Sequence, residues 1–397
     1  MIATRVIRRI AGVDGAAWDA LDHGRAPFLR HGFLSALEET GSIGREAGWE
    51  PRYILAERAG ALVGAAAAFV KSHSFGEFIF DWEWAHAAHR AGIDYYPKLV
   101  VAAPLTPATG PRLLRAPGLA EGDRRAVGQA LVAAAERVAE EEECSSLHFL
   151  FCTEEERDLL ADLGLAPRAS FQYHWHNRGY RDFDDFLSRM SSRRRKQVRK
   201  ERGRARAAVD AVELVPGPAL TRTDLRDLDR FYRVNVRAHG GSAYLEPGFF
   251  AALVERMPET VLMARAVRGK RAIAGALFLE TGGALYGRYW GATEDVPLLH
   301  FEVTCWLGIE RCIERGTGLY EAGAQGQHKL LRGFEPSATH SAHQMFHPGL
   351  DRAVRAFLRD EALAVARHMA RLAEVGPFKE ESGDGQGEEG PGEAAGE

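Results

Sequence analysis

The sequence predicts an α/β protein made of two copies of one unit, each a mixed central sheet flanked by helices. Two observations carry this reading. Three landmarks recur in the same order: Phe28-Leu29-Arg30-His31-Gly32-Phe33-Leu34 returns as Tyr244-Leu245-Glu246-Pro247-Gly248-Phe249-Phe250, Leu62-Val63-Gly64-Ala65 as Ile273-Ala274-Gly275-Ala276, and Gly164-Leu165-Ala166-Pro167 as Gly333-Phe334-Glu335-Pro336. Shared order of a helix, a strand pair and a Gly-x-x-Pro turn is the mark of a repeated domain. The second observation is the succession of periodicities within each copy: helices, an antiparallel meander, a long helix, a strand, a short helix and a strand. The offset between copies falls from 216 to 211 to 169, so the first copy carries roughly 42 extra residues between its second and third landmarks. The copies are expected at residues 1–182 and 183–375, with a tail over 376–397.

The elements follow in order. Thr4–Ile10 alternates weakly and reads as a strand; Asp14 caps a helix through Leu21. Phe28–Glu39 is a helix with Phe33, Leu34 and Leu37 on one face. Tyr53–Glu57 and Leu62–Val70 read as strands joined by a short turn, with a further strand over Phe78–Trp82. Arg124–Glu142 is an amphipathic helix, Leu147–Phe151 a buried strand, Asp158–Leu163 a helix, and a strand then runs through Trp175. The second copy opens with a helix over Phe183–Ala208. A strand near Val212–Val215 follows, then a helix over Asp224–Arg237 capped by Thr223. Thr260–Val267, Ala272–Glu280 and Ala284–Gly291 form a meander; Phe301–Arg315 is a helix closed by Gly316. The chain ends with strand Leu319–Ala322, a short helix Gln327–Leu331, a strand near His340–Phe346 and a terminal helix Asp351–Leu372.

Composition sets limits. With 46% hydrophobic and 27% charged residues the chain has room for two ordinary cores. Its longest apolar stretch, Gly60–Val70, is too short to span a bilayer, and Met1–Arg9 is not followed by an apolar segment, so a cytoplasmic protein is expected. The four cysteines lack metal-ligand spacing, and a reduced setting suits them. The tail from Gly376 carries −6 of the net charge of −4, leaving about +2 on the body. Almost devoid of apolar side chains, it is expected to be disordered.

The order of elements and several long motifs are similar to the GNAT acyltransferase fold in tandem. More closely they resemble the FemAB-like group of peptidoglycan biosynthesis or recognition proteins. The motifs are Phe78-Ile79-Phe80-Asp81-Trp82-Glu83-Trp84-Ala85, Tyr95-Tyr96-Pro97-Lys98-Leu99, Pro104–Arg112, Tyr173-His174-Trp175-His176-Asn177, Leu299-His300-Phe301-Glu302 and Tyr320–Lys329. The resemblance covers about Phe28 to the Asp351 helix. It implies transfer of an acyl, commonly aminoacyl, group onto an amine, from a coenzyme A thioester or aminoacyl-tRNA as donor substrate, with no tightly bound cofactor. The acceptor would be a small-molecule or peptide amine such as a cell-wall peptide precursor. A coenzyme A-dependent N-acyltransferase outside cell-wall metabolism and a non-catalytic precursor-recognition protein are the alternatives. Acetyl-CoA enzymes of this fold have a glycine-bearing pyrophosphate loop ahead of a helix; here Val296–Phe301 contains no glycine.

Within this frame certain residues stand out. Gly323 and Gly326 let backbone amides approach a ligand, and acyl transfer needs donors or a cation at its oxyanion. Lys329 is the candidate cation, and Glu321 or His328 the acceptor of the amine's proton. Gln325, His300 and Glu302 are substrate-binding candidates, although Glu302 would equally complement a helix dipole. Asp81, Trp82, Trp84, Tyr95 and Tyr96 suit a sugar or peptide pocket, though core packing explains Trp82 and Tyr95 as simply. Thr109, Gly110 and Arg112 suit a phosphate; the other reading is a proline-stiffened loop. The run Ser191–Arg206, with Arg193, Arg194, Arg195 and Lys196, holds nine basic residues and one acid. It makes a field for tRNA or a nucleotide-sugar diphosphate, or else is a solvated helix face. The histidines have no metal-motif spacing and no metal is expected.

Overall fold

In the computed structural model, which describes residues 1–323, 326–374 and 376–378, the apolar stretches become one continuous mixed sheet. Its strands are β1 (Ala3–Ile7), β2 (Trp49–Arg58), β3 (Ala61–Lys71), β4 (Lys98–Val101), β5 (Leu114–Arg115), β6 (Ser146–Cys152), β7 (Ala166–His176), β8 (Ala211–Pro216), β9 (Val261–Arg268), β10 (Arg271–Glu280), β11 (Ala284–Ala292), β12 (Leu319–Glu321) and β13 (Glu335–Met345). The order is β1-β2-β3-β4-β6-β13-β7-β12-β11-β10-β9-β8, with β5 on β3. β4–β6 and β11–β12 are parallel; the other pairings are antiparallel.

Two half-sheets are thus joined, and the junction is an exchange. β13, the last strand of the second copy, pairs with β6 of the first; β7, the last strand of the first, pairs with β12 of the second. The exchanged strands pair with each other, and Ser170 faces Thr339, its counterpart at the repeat offset of 169. An approximate two-fold therefore passes through this pair. The repeated helices obey it as well. His31–Glu39 packs on Phe249–Arg256, and the equivalent rings of Phe33 and Phe249, both fully buried, meet edge to face at 5.9 Å. Each buries apolar surface worth roughly 1.5–3 kcal/mol, so the hydrophobic helix faces seen in the sequence bury against their own repeats.

Local chemistry sets most boundaries. Asp14 Oδ1 accepts from Ala17 N at 2.8 Å, and Thr153 and Glu156 form a reciprocal capping box on helix Glu154–Asp162. Helix Arg222–Ala238 starts one turn-fraction earlier than expected, because Thr221 with Asp224 forms the cap in place of Thr223. The basic helix is divided: Phe183–Ser188 ends before Ser191, whose hydroxyl caps a separate helix, Ser192–Ala207. Phe78–Trp82 is not a strand. A helix, Trp82–Arg90, forms instead because Trp84 and Ala88, one turn apart, bury together. Helix Arg222–Ala238 lies so close to β11 that a Cβ on Gly291 would sit 1.9 Å from Phe231 O. Of the acidic tail only Gly376–Phe378 is described, and here the expectation of disorder is corrected: Phe378 bridges to Met190 and its ring lies 6.2 Å from Phe186.

Candidate functional site

The parallel strands β11 and β12 pair only through Ala284–Tyr286 and Leu319–Glu321, and then part. A cleft of about 530 Å³ opens at the parting, between Gly287–Trp290 on one side and Ala322–Gly323 on the other. β11 is bulged here: register shifts opposite Ala276, and Tyr289 takes a left-handed φ of +54°. Bulges re-aim side chains, and non-glycine residues hold such backbone only under packing constraint. Tyr289 and Trp290 thereby face the cleft. Its floor is the π-helical turn Glu302–Trp306, which presents Thr304, and the two-fold pair Ser170 and Thr339 also lines it. Most of the remaining wall is apolar, including Phe78, Phe80, Phe171 and Phe278.

Three cations reach this cleft: Arg168, Arg288 and Lys329. No carboxylate does among the described lining residues. Lys329 sits in a short 3-10 helix, Gln327–Arg332, is 5% exposed, and donates to Gly323 O at 2.7 Å. That carbonyl is presented by the φ of +85° that glycine permits. Burial, with the Arg288 guanidinium adding to it, brings the Lys329 ammonium down to about 8. His328 lines the same wall, its ring 5.1 Å from Phe301 and 6.2 Å from His300. Burial and the neighbouring Arg332 and Lys329 lower His328, and His300 falls to about 4, so both are neutral near pH 7.

Glu321 is placed differently from its sequence partners. It is 2% exposed at the end of β12 and lines a second cleft of about 590 Å³, with Thr109, Gly110, His174 and His176. Burial raises its carboxyl to about 7 against the pull of Arg288. Arg288 is the partition between the clefts: its Nη1 donates to Glu321 O at 3.2 Å, its Nη2 lies 3.5 Å from Glu321 Oε2, and its Nε donates to Thr106 at 3.1 Å.

Other expected site residues have structural duties. Glu302 is fully buried and holds the basic helix: Arg202 binds it through two nitrogens at 2.8 and 2.9 Å, and Arg206 adds a third bond at 2.7 Å. It is not a substrate ligand. Arg112 is 1% exposed, and its guanidinium donates to Leu150 O at 2.6 Å and to the carbonyls of Pro111 and Ala108. Its backbone N–H is taken by Glu156. Its donors are committed and hold no phosphate, so only Thr109 and Gly110 of that trio reach a cleft. The aromatic pocket is corrected too. Asp81 is buried on Lys98 and Tyr95, in a cluster with Glu77 and Ser74. Trp84 packs on His343 and Phe357, Trp82 on Phe75, and Tyr96 bonds Ser74 at 2.8 Å. None of Asp81, Trp82, Trp84 and Tyr96 lines either described cleft; the insertion sends Phe78, Ile79 and Phe80 instead. Gln325 lies outside the described residues.

Of the nine basic side chains of the run, three are ion-paired. Arg202 and Arg206 bind Glu302 and Glu310, Arg199 binds Asp184 at 2.8 Å, and Arg194 donates to Leu331 O at 2.7 Å. Arg195 is half-buried and donates to Ser188 O at 3.3 Å. Arg193, Lys196, Lys200 and Arg204 stay exposed, and their spacing places them along one helix face. Sequence reasoning missed Arg288, Arg168 and Trp290, which carry no local motif. It missed His174 as a site residue although its motif was visible.

Sheet topology and the cation-lined cleft at a parted parallel pair define the class, a tandem GNAT-like mixed α/β protein. The chain belongs to the FemAB-like family of peptidoglycan biosynthesis/recognition proteins, whose model matches residues 9–380. Among solved structures it is similar to FemX (11% identity, 88% of this chain and 100% of that chain, TM-score 0.52). It is also similar to a conserved protein of unknown function from Bacteroides thetaiotaomicron VPI-5482 (12%, 86% and 99%, 0.50). A tandem GNAT protein from the clavulanic acid biosynthesis pathway matches at 13% identity over 88% of this chain and 99% of that chain, with a TM-score of 0.42. At these identities the likeness is one of fold. No curated protein matches by sequence. Among the described residues no helix is long and apolar enough to cross a membrane. Family and fold together support a transferase of cell-wall synthesis.

Proposed function

We propose that the protein transfers an acyl or aminoacyl group onto the amine of a cell-wall peptide precursor by direct attack. The observation that carries this is Lys329: an ammonium buried at the parting of β11 and β12, beside a left-handed glycine, in a cleft with no opposing carboxylate among its described lining residues. A cation without a counter-charge is arranged for charge that develops during reaction, and one such donor is worth about 10²–10³ in rate. The amine nitrogen bonds to the carbonyl carbon of the donor ester or thioester, and the oxyanion is held by the Lys329 protons not engaged by Gly323. The amine's proton passes to neutral His328, or to Glu321 across Arg288. The tetrahedral species collapses to the amide, and the leaving alkoxide or thiolate departs with a proton.

The donor favoured is aminoacyl-tRNA over acyl-CoA. At the start of the helix that follows β11 the amides of Phe301 and Glu302 both bond back to Leu298 O, so they form no cradle for a pyrophosphate. The exposed face of Arg193, Lys196, Lys200 and Arg204 suits a polyanion.

The test is a thermal-shift series with coenzyme A, acetyl-CoA, aminoacyl-tRNA and a UDP-linked muropeptide, followed by turnover of whichever pair binds. Lys329→Met should keep both substrates bound and lose turnover by at least 100-fold. Tight muropeptide binding with no turnover from any donor would assign recognition instead of catalysis.

A further inference from the structure

The exchanged strands make a comparison that neither copy allows by itself. His174 on β7 and His343 on β13 are counterparts at offset 169. His174 faces Glu321 across to β12, and His343 faces His148 across to β6. Glu321 and His148 are therefore equivalent positions, and His174–Glu321 and His343–His148 are two versions of one dyad. The first copy's version is sealed. His148 Nδ1 lies 2.7 Å from His343 Nδ1, and Trp84 from the insertion covers them. The second copy has no such insertion, and His174 and Glu321 line the 590 Å³ cleft.

The open dyad is poised to accept hydrogen bonds. Gln172 Nε2 donates to Pro107 O at 2.8 Å, so Gln172 Oε1 is the acceptor facing His174 Nε2 at 3.3 Å. The proton of His174 is thereby on Nε2, and Nδ1 keeps its lone pair with no hydrogen bond among the described residues. His174 Nε2 is 3.8 Å from Glu321 Oε1, too long for a bond, and Arg288 is the carboxylate's other neighbour at 3.5 Å. The two clefts differ in charge. The first has three cations and no described carboxylate. The second is lined by Asp22, Glu154, Glu155, Glu156 and Glu321 against three arginines. We propose that the second cleft is the entry and binding site for a primary ammonium group, held by the Glu321 carboxylate and the His174 lone pair, while the first cleft takes the acyl part of the donor. Naming that ammonium as the acceptor of the transfer rests on the function proposed above; the binding itself does not. Arg288 lines the first cleft and lies 3.5 Å from Glu321 Oε2, which places the dyad beside that cleft. An amine on Glu321 thus meets an acyl carbonyl across one side chain. The insertion of the first copy has closed the equivalent entry there.

The probe is n-butylammonium, titrated into the full chain and followed by NMR of labelled histidine, with the His174 signal identified by its loss in H174Q. The groups facing Glu321 are Arg288 and Tyr286 from β11, His174 from β7 and Arg112 from the loop before β5. Arginines stay charged and His174 stays neutral across the range, and Lys329, at about 8, gives up part of its charge only at the upper end, so Glu321 ionisation dominates the dependence. Affinity should rise about tenfold from pH 6 to pH 8 as a carboxyl at about 7 ionises. In E321Q the rise should vanish and affinity fall at least tenfold, while K329M retains or tightens binding. Equal affinity in a folded E321Q, loss of binding in K329M, n-butanol binding as tightly as the ammonium, or no saturable binding at pH 8 each overturns the proposal. Turnover is measured separately, so an inactive protein that still binds butylammonium through Glu321 would refute the transfer reading and leave this one standing.

Discussion

Lys329→Met should make the protein more stable while it abolishes turnover. The ammonium has an ordinary value of 10.5 and falls to about 8 in the fold. At about 1.4 kcal/mol per pH unit, keeping it charged below pH 8 costs roughly 3 kcal/mol of folding stability. Methionine has similar length and no charge, so the substitution removes that cost. Against this stands the bond to Gly323 O, worth about 1 kcal/mol. The net is a gain of about 2 kcal/mol at pH 7. The sign with pH follows from a lysine whose folded value is lowered: the unfolded chain binds more protons between pH 8 and 10.5, so wild-type stability rises across that window. The Met variant lacks this rise. Lys71, lowered by burial to about 7, contributes a similar slope to both proteins, and their difference cancels it. Denaturant unfolding at pH 7 and pH 10.5 gives the comparison, with the variant's advantage shrinking to nothing or reversing at the higher pH. A Met variant less stable by more than 1 kcal/mol at pH 7, or a stability difference that does not change with pH, would refute a buried, uncompensated ammonium. A catalytic group that destabilises its own fold is what a preorganised site requires.

Glu302→Ala should destabilise by about 1–3 kcal/mol in chemical denaturation, because Arg202 is left with Glu310 alone and loses its two bonds to Glu302; a loss under about 1 kcal/mol would deny that Glu302 anchors the basic helix. Arg112→Met should cost about 2–4 kcal/mol by stranding buried carbonyls, yet leave polyanion affinity unchanged, and weaker anion binding with intact stability would restore the phosphate role. Reversing charge at Arg193 and Lys196 should move stability by less than about 0.5 kcal/mol while flattening the slope of log affinity for tRNA against log salt by about 1 to 2. An unchanged slope would remove tRNA from that face. Glu321→Gln should be the more stable protein above pH 7. The raised carboxyl makes wild-type stability decline from pH 4.5 to about 7, and parallel pH profiles of the two proteins would contradict that burial.

Much of this protein was readable along the chain. Element types come from periodicities and caps that need only neighbours within a turn or two, as at Asp14, Gly316 and the Arg124 helix. The repeat was readable because equivalent positions such as Phe33 and Phe249 keep their chemistry, and Lys329 was singled out by glycines three and six residues before it. Only tertiary structure decided which charges are free. Glu302 and Arg202 are 100 residues apart, and nothing nearby in sequence shows that each neutralises the other. The same holds for Arg112, whose donors are taken by carbonyls presented at Ala108 and on β6, and for Asp81, withdrawn onto Lys98. The exchange of β7 and β13 was equally hidden, since a period-two pattern says which face of a strand is buried but not which strand lies beside it. That pairing, settled by contacts between residues as distant as His148 and His343, turns two similar units into one sheet with one dyad covered by Trp84 and one lining a cleft.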